Sequence, residues 1–578
     1  MLTPRASRDF WLLALMALLV LGAGLGLRDP WPADEPRFAL VARQMVESGD
    51  WLFPHRGSEL YSDKPPLLMW LQGGFYLLLG NWRLAFLLPS LLAALGTLAC
   101  VYDLGRRLWT RQVGLYAAWT LLFTLHFTFQ AKRAQIDPLV VFLITLANYG
   151  LLRHLLSGPA WRWWVIGWAA AGLGMIAKGV GVLGLLMLVP ALVAQWRGWP
   201  RVRIPVRDAR FWLGPLAFAG VVSAWLLPLV TVALASPLAE YRAYLHDLLL
   251  RQTAGRYLAS WDHPQPAWYH FGVMAVMWLP PFLALPWALP AWRRRLQRRD
   301  PRYLLPLAWW GLVLVFFSIP HGKRDVYILP ALPMFCLTLA PLLPGLLRKP
   351  AFRALLYGFS LLLVAALGLA AAWMLEGPPR YGEALMTSRG IDGATFRALA
   401  WLVAAMGAWG AASVLWFGRR RPVAVLVSVL AAIWVISSLG GYPLLNDSGS
   451  ARGLMRTAGA RIGPQAELGL VGWKEQNLLM ADRPAVTFGF NVAWDEQLRR
   501  AVAWQARRPQ QRWLLVQEPA LYGCVDRAQA QMLRGSHRRR WWLVPASAVH
   551  GACPVIAQER MSGGVEQGPE MTAGRGFR

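Results

Sequence analysis

The chain has 578 residues, 56% of them hydrophobic, a mean hydropathy of +0.37 and a net charge of +29. Hydropathy at that level excludes an ordinary soluble globular domain. The positive charge would suit a nucleic acid, but it is gathered in alternate short loops between apolar runs, which is how membrane helices are oriented, so nucleic acid is set aside as a partner.

Apolar runs near the roughly 20 residues needed to cross a bilayer recur through the first three quarters of the chain. Thirteen spans are expected, at about 10–27, 84–103, 113–130, 137–154, 162–177, 179–196, 212–234, 268–290, 303–319, 325–346, 354–375, 397–417 and 423–440. The first is longer than a signal-peptide core and is read as retained. Residues 67–80 are apolar but interrupted by Gln72, Gly73 and Gly74, and are expected to lie against the membrane rather than cross it. Basic clusters fall at Arg106, Arg107 and Arg111, from Arg197 to Arg210, from Arg293 to Arg302, from Arg348 to Arg353 and from Arg419 to Arg421. They put the N-terminus in the cytoplasm and the C-terminus outside. Two larger outer loops follow, residues 28–83 and 235–267.

From about Gly441 the composition changes. Apolar runs shorten to strand length at Leu468 to Val471, Ala485 to Phe490, Trp513 to Val516 and Trp541 to Val544, with a helix-like stretch from Asp495 to Ala506. The expected division is a membrane domain over 1–440, a soluble α/β domain over 441–563 and a disordered tail over 564–578. Cys524 and Cys553 lie in this polar part and could pair in an oxidising compartment; Cys100 and Cys336 read as small core hydrophobes. No nucleotide-binding glycine motif is present, as suits a donor activated elsewhere.

The chemistry is concentrated in the first outer loop. Asp34-Glu35-Pro36-Arg37-Phe38 follows the first span directly, and Tyr61-Ser62-Asp63-Lys64-Pro65-Pro66 comes about thirty residues later. Charges this dense beside a membrane are costly unless they meet water, each other or a charged substrate. Asp34 can be a helix cap, since Asp before Pro starts helices, or a base. Lysine adds a second clue: the chain has only six, and Lys64, Lys132, Lys178 and Lys323 all fall on or near the outer face, against the orienting bias. A lipid phosphate is the natural partner for such point charges.

The run from Asp34 to Gln72, with its Asp-Glu-Pro-Arg, Ser-Gly-Asp-Trp and Asp-Lys-Pro-Pro elements in order, resembles the first outer loop of the polyprenyl-phosphate-sugar-dependent membrane glycosyltransferases. It is most similar to the branch containing the bacterial lipid A aminoarabinose transferase. That resemblance implies a polytopic α-helical membrane protein of the bacterial inner membrane, with about thirteen transmembrane helices, outer juxtamembrane helices and a small C-terminal periplasmic α/β domain. It implies an inverting transfer from an undecaprenyl-phosphate-linked sugar to lipid A or a related envelope acceptor.

By the same resemblance Asp34 is the proposed base, and Asp137, in Ala-Lys-Arg-Ala-Gln-Ile-Asp-Pro, is either a second site carboxylate or a cap. Lys64 matches the lysine that binds the carrier phosphate. Arg37, Lys178 of Ala-Lys-Gly, Lys323 and Tyr327 of His-Gly-Lys-Arg-Asp-Val-Tyr-Ile-Leu-Pro, and either Arg251 or Arg256, are further candidates for that phosphate. No cofactor is required by the sequence. Asp63 with His246 or His263 is a candidate divalent-metal set, against the plainer reading of loop histidines. Three rival readings remain: a protein O-mannosyltransferase, a polyprenyl-lipid transporter or flippase, and a lipid-binding sensor without catalysis.

Overall fold

A computed structural model describes residues 4–200, 202–250, 264–377, 380–533, 535–551 and 553. The expected tail over 564–578 lies outside the described residues, as do Arg251, Arg256 and His263. The chain is mostly helical. Among the described residues nine helices are long and apolar enough to cross a membrane, or ten if the pair Tyr269–Met277 and Pro281–Gln297, bent by 103°, forms one span. Of the other three expected spans, the first is the helix Pro4–Gly22. The run 113–130 is broken into Arg111–Leu122 and Leu125–Ala131, and the run 162–177 is a helix of 17 residues, Trp161–Ala177. The break has a cause: Thr124 is extended, and the Leu125 N–H turns to donate to the Leu279 carbonyl.

With no difference in apolarity between lipid and side chains, membrane helices pack by close backbone approach at small residues. The helices Ile136–Leu156 and Trp161–Ala177 do this at Gly150 and Gly167, where a Cβ on Gly150 would fall 2.3 Å from the Trp163 carbonyl oxygen. The segment 67–80 holds a 13-residue helix, Leu67–Leu79, which ends at Gly80 in the left-handed region. At about 1.5 Å per residue it is too short to cross a bilayer. Asn81 then caps the next turn, accepting from the Arg83 and Leu84 N–H groups.

Two small sheets lie beyond the bundle. A hairpin, β1 (His55–Arg56) and β2 (Glu59–Leu60), belongs to the first loop. Among its described residues the C-terminal region builds five strands: β3 (Glu467–Val471), β4 (Ala485–Thr487), β5 (Arg512–Gln517), β6 (Gln531–Met532) and β7 (Trp541–Val544). Their order is β4-β3-β5-β7-β6, with β3 parallel to both β4 and β5 and the β5–β7 and β7–β6 pairs antiparallel. Cys524 and Cys553 are joined in a disulfide, their Cα atoms 5.0 Å apart.

The sheet does not stand free of the first loop. Leu468, Leu470, Trp473 and Leu515 share one buried apolar cluster with Ala39, Leu40, Phe86 and Leu87. Glu59 accepts from the Phe490 N–H at 3.0 Å and the Asn491 Nδ2 at 2.8 Å. Asp29, 2% exposed, receives Arg83 at 2.9 Å, Arg452 at 2.6 Å and the Asn446 amide at 2.7 Å. Burial opposes its charge, but the hydrogen bonds from Arg452, Arg83 and Asn446 outweigh that and bring the Asp29 carboxyl down to about 2.

Candidate active site in the first outer loop

The helix Glu35–Ser48 begins with Pro36 in its first turn and stops at Gly49, whose φ of 75° lets its N–H close on the Met45 carbonyl. Its first two acidic residues part company. Glu35 is buried and takes Arg28 in two bonds of 2.5 and 2.7 Å, with the Trp31 and Ala134 N–H groups at 2.8 and 2.9 Å. Burial works against its ionisation, but Arg28 and those amides keep the carboxyl below its ordinary value. Glu35 is a structural member, paired with Arg28 and not with Arg37.

Asp34 is different. It occupies the cap position yet makes no capping hydrogen bond. Among the described residues its carboxylate, 18% exposed, has only long contacts: Arg37 at 3.9 Å, Arg324 at 3.6 Å and the Gln135 amide at 3.4 Å. Groups this far off hold a carboxylate in place by charge and leave its oxygens able to accept a shorter bond.

The contacts of Asp34 lead two ways. From one oxygen they run through Arg37 to Glu475 at 3.1 Å, from Glu475 to Arg56 at 3.7 Å, and from Arg56 to Asp63 at 3.6 Å. Glu475, 4% exposed, comes from the C-terminal sheet region. Burial alone would weaken the hold of Arg37 on its proton; Tyr61, Glu475, Asp34 and Asp63 reverse that and raise it. The Lys64 ammonium donates to the Asp63 carbonyl at 2.7 Å, and Ser62 donates to Asp247 at 2.5 Å, docking the second loop beside the first.

From the other oxygen of Asp34 the path runs to Gln135 and Arg324. Two residues beyond Gln135, Asp137 sits in the first turn of Ile136–Leu156, where the helix dipole favours an anion. Lys178 meets it at 2.8 Å and lies 5.2 Å from the Tyr327 ring centre. Asp137, Lys178 and Tyr327, far apart in sequence, are thus neighbours.

Lys323 and Lys132, like Lys64, are turned to backbone. Lys323 is buried and donates to the Gln265 and Pro320 carbonyls at 3.1 and 2.5 Å. Lys132 donates to the Val20 and Ala23 carbonyls at 2.9 and 2.8 Å, satisfying the end of the first helix. Arg324, next to Lys323, faces Asp34 in its place. Its extended backbone (φ −128°) sends successive side chains to opposite sides, a signal that the Lys-Arg-Asp run alone leaves undecided. Glu475 and Arg56 had no such local signal, because they join only through the fold.

His246 is exposed at the end of the helix Ala239–His246, and Asp63 faces the cation Arg56. Among the described residues no three His, Cys, Asp or Glu side chains gather to hold a metal ion, and His263 lies outside them.

A family model described as dolichyl-phosphate-mannose-protein mannosyltransferase matches residues 63–231. An undecaprenyl phosphate-alpha-4-amino-4-deoxy-L-arabinose arabinosyl transferase of Pseudomonas paraeruginosa is 30% identical over 452 residues, 75% of each chain. One of the same description from Pectobacterium carotovorum is 31% identical over 374 residues, 62% of this chain; the match spans 64% of that relative, a little under two thirds of its length. The crystal structure of ArnT from Cupriavidus metallidurans bound to undecaprenyl phosphate superimposes with a TM-score of 0.69 over 94% of this chain and 99% of that one, at 19% identity. The fold is shared with that protein.

Proposed function

The chain belongs to the family of undecaprenyl phosphate-alpha-4-amino-4-deoxy-L-arabinose arabinosyl transferases, and from that premise we propose that it moves 4-amino-4-deoxy-arabinose from an undecaprenyl-phosphate donor to a phosphate of lipid A or a related envelope glycolipid. The reaction takes place on the periplasmic face of the bacterial inner membrane. Residues 1–440 form the membrane part, with the N-terminus cytoplasmic, and the α/β region over 441–563 covers its outer face.

The observation that carries this reading is the placement of Asp34: a carboxylate released from capping, held by long contacts among Arg37, Arg324 and Gln135. An acceptor oxygen attacks the anomeric carbon from behind, the bond from that carbon to the carrier phosphate oxygen breaks, and undecaprenyl phosphate leaves with the electron pair. Asp34 orients the acceptor, and takes its proton if it arrives protonated. Lys64, Lys178, Tyr327 and an arginine of the second loop, Arg251 or Arg256, hold the carrier phosphate and stabilise the charge that develops on it. Asp137 holds the Lys178 ammonium in position. Arg37 and Arg324 keep Asp34 aimed.

The test is mass spectrometry of lipid A and total envelope glycolipids from cells with the protein, without it, and with Asp34→Asn. An increment of one amino-pentose on a lipid A phosphate, present only with the unaltered protein, is expected. A different increment changes the sugar; no lipid increment at all overturns the reading in favour of a protein acceptor or a transporter.

A further inference from the structure

The connection from β3 departs to the β4 side of the sheet, and the connection from β4 crosses back to β5 on the other side. Open α/β sheets hold ligands at such a reversal, just outside the carboxyl ends of their strands. Here the residues at that point are Gly472-Trp473-Lys474-Glu475. Gly472 turns with φ +63°, and a Cβ on it would come within 3.3 Å of Gln517, the last residue of β5. The ends of β3 and β5 therefore lie close together, and the residues that follow β3 reach the first loop through Glu475, which faces Arg37 and Arg56.

The charges at these strand ends are mainly cationic. Lys474 and Arg56 lie 5.6 and 3.7 Å from the centre of the same ring, Phe490. Arg37 and Arg56 share Glu475 between them, and Arg539 donates to Gln517 at 2.8 Å. Glu475 is thus already committed to two guanidinium groups, while the half-buried ammonium of Lys474 makes no ion pair among the described residues. Burial first, then the neighbouring Arg539, lower the proton affinity of Lys474; Glu475 opposes them, and Arg37 and Arg56 add to the lowering. An anion with several acceptor oxygens reverses that balance.

An in-line displacement between two phosphates also needs two anion sites, one for the group that leaves and one for the group that attacks. The Asp137–Lys178–Tyr327 group and the ends of β3 and β5 are reached from different oxygens of Asp34. We propose that the carboxyl ends of β3 and β5 form a phosphate subsite, with Lys474 as its principal cation and Arg539 beside it, for the phosphomonoester of the acceptor glycolipid. The C-terminal region is then part of the acceptor site and not a passive cover. This rests on the transfer reading given above.

Binding is measured on the full-length Asp34→Asn protein, where no turnover confuses it. The probes are a phosphorylated lipid A-type disaccharide glycolipid, its dephosphorylated form, and undecaprenyl phosphate. The phosphorylated glycolipid should bind at least about tenfold tighter than the dephosphorylated one, and Lys474→Gln or Arg539→Gln should each remove most of that difference, with undecaprenyl phosphate binding unchanged. Two variants with unaltered thermal midpoints guard against one simply failing to fold. Equal binding of the two glycolipids, or an undiminished preference in both variants, overturns the subsite. A loss that falls on undecaprenyl phosphate overturns the acceptor assignment and makes the carrier the ligand. Residual transfer by Asp34→Asn would remove the proposed base and leave the binding comparison intact, so the two failures are distinguishable.

Discussion

Arg28 and Glu35 form a buried bidentate pair, with bonds of 2.5 and 2.7 Å, one residue away from a carboxylate that makes no comparable bond among the described residues. The pair fixes the start of the helix Glu35–Ser48 against Trp31 and Ala134, and so decides where Asp34 points. Two adjacent acids thus differ: Glu35 is locked in a buried pair, while Asp34 is the one to which the transfer chemistry is proposed to belong.

Their substitutions should therefore differ in kind. Asp34→Asn should cut the transfer rate by about a hundredfold or more, in the range of a lost acid–base group, with expression and thermal midpoint unchanged. Glu35→Gln should instead cost about 3–5 kcal/mol by leaving the buried Arg28 charge uncompensated, seen as a lower thermal midpoint in detergent. A stable, inactive Glu35→Gln protein would contradict the division.

Arg324 and Lys323 offer a second contrast. Arg324→Gln should lower the rate at saturating donor by about tenfold while stability is kept, because it removes a charge facing Asp34. Lys323→Gln should lose about 1–3 kcal/mol of stability, since its buried ammonium satisfies two carbonyls. Donor titrations beside thermal melts separate the two.

Lys178→Met should raise the apparent KM for the undecaprenyl-phosphate donor by about tenfold, the effect of one lost charge-assisted contact, and leave the acceptor KM alone. Tyr327→Phe should act in the same direction and less strongly. Unchanged donor KM in both variants would remove this cluster from the carrier site.

Acid should loosen the first loop. The Asp29 carboxyl titrates at about 2 in the fold against an ordinary 3.8, so the folded state favours its ionised form. Its contribution is complete above the ordinary value and is lost as pH falls from about 4 through about 2. Asp29→Asn should be less stable than the unaltered protein at pH 7, and the gap should narrow across that window in pH-dependent melts.

The disulfide between Cys524 and Cys553 has a sequence separation of 29, and a loop of that size implies a stabilisation of about 3–4 kcal/mol. Intact protein should resist alkylation at both residues until reduced, and reduction should lower the melting transition of the C-terminal region.

Much of this was legible in the sequence where the signal is local. Helical runs, the strand-length runs now seen as β3, β4, β5 and β7, and the charged segments at 34–37 and 61–66 all stand out because hydropathy, turn residues and charge act over a few neighbours. The proximity of Asp137, Lys178 and Tyr327 is not local, and only their resemblance-based grouping anticipated it. Glu475 had no signal at all. A buried acid between two arginines looks in sequence like an ordinary Lys-Glu pair at the start of a short helix. Span counting suffered at 113–130, where average hydropathy cannot register the break before Leu125.

The contacts of Asp29 also set a schedule. Asn446 and Arg452 follow it by 417 and 423 residues. At ~5–20 residues per second, a ribosome reaches them between ~20 and ~85 s after the first loop has been made. Through that interval Asp29 has, of Arg83, Asn446 and Arg452, only Arg83, and the first loop lacks its tie to the C-terminal region. Messages cut short before Asn446 should therefore yield inserted polypeptides whose first loop is less stable than in the full chain.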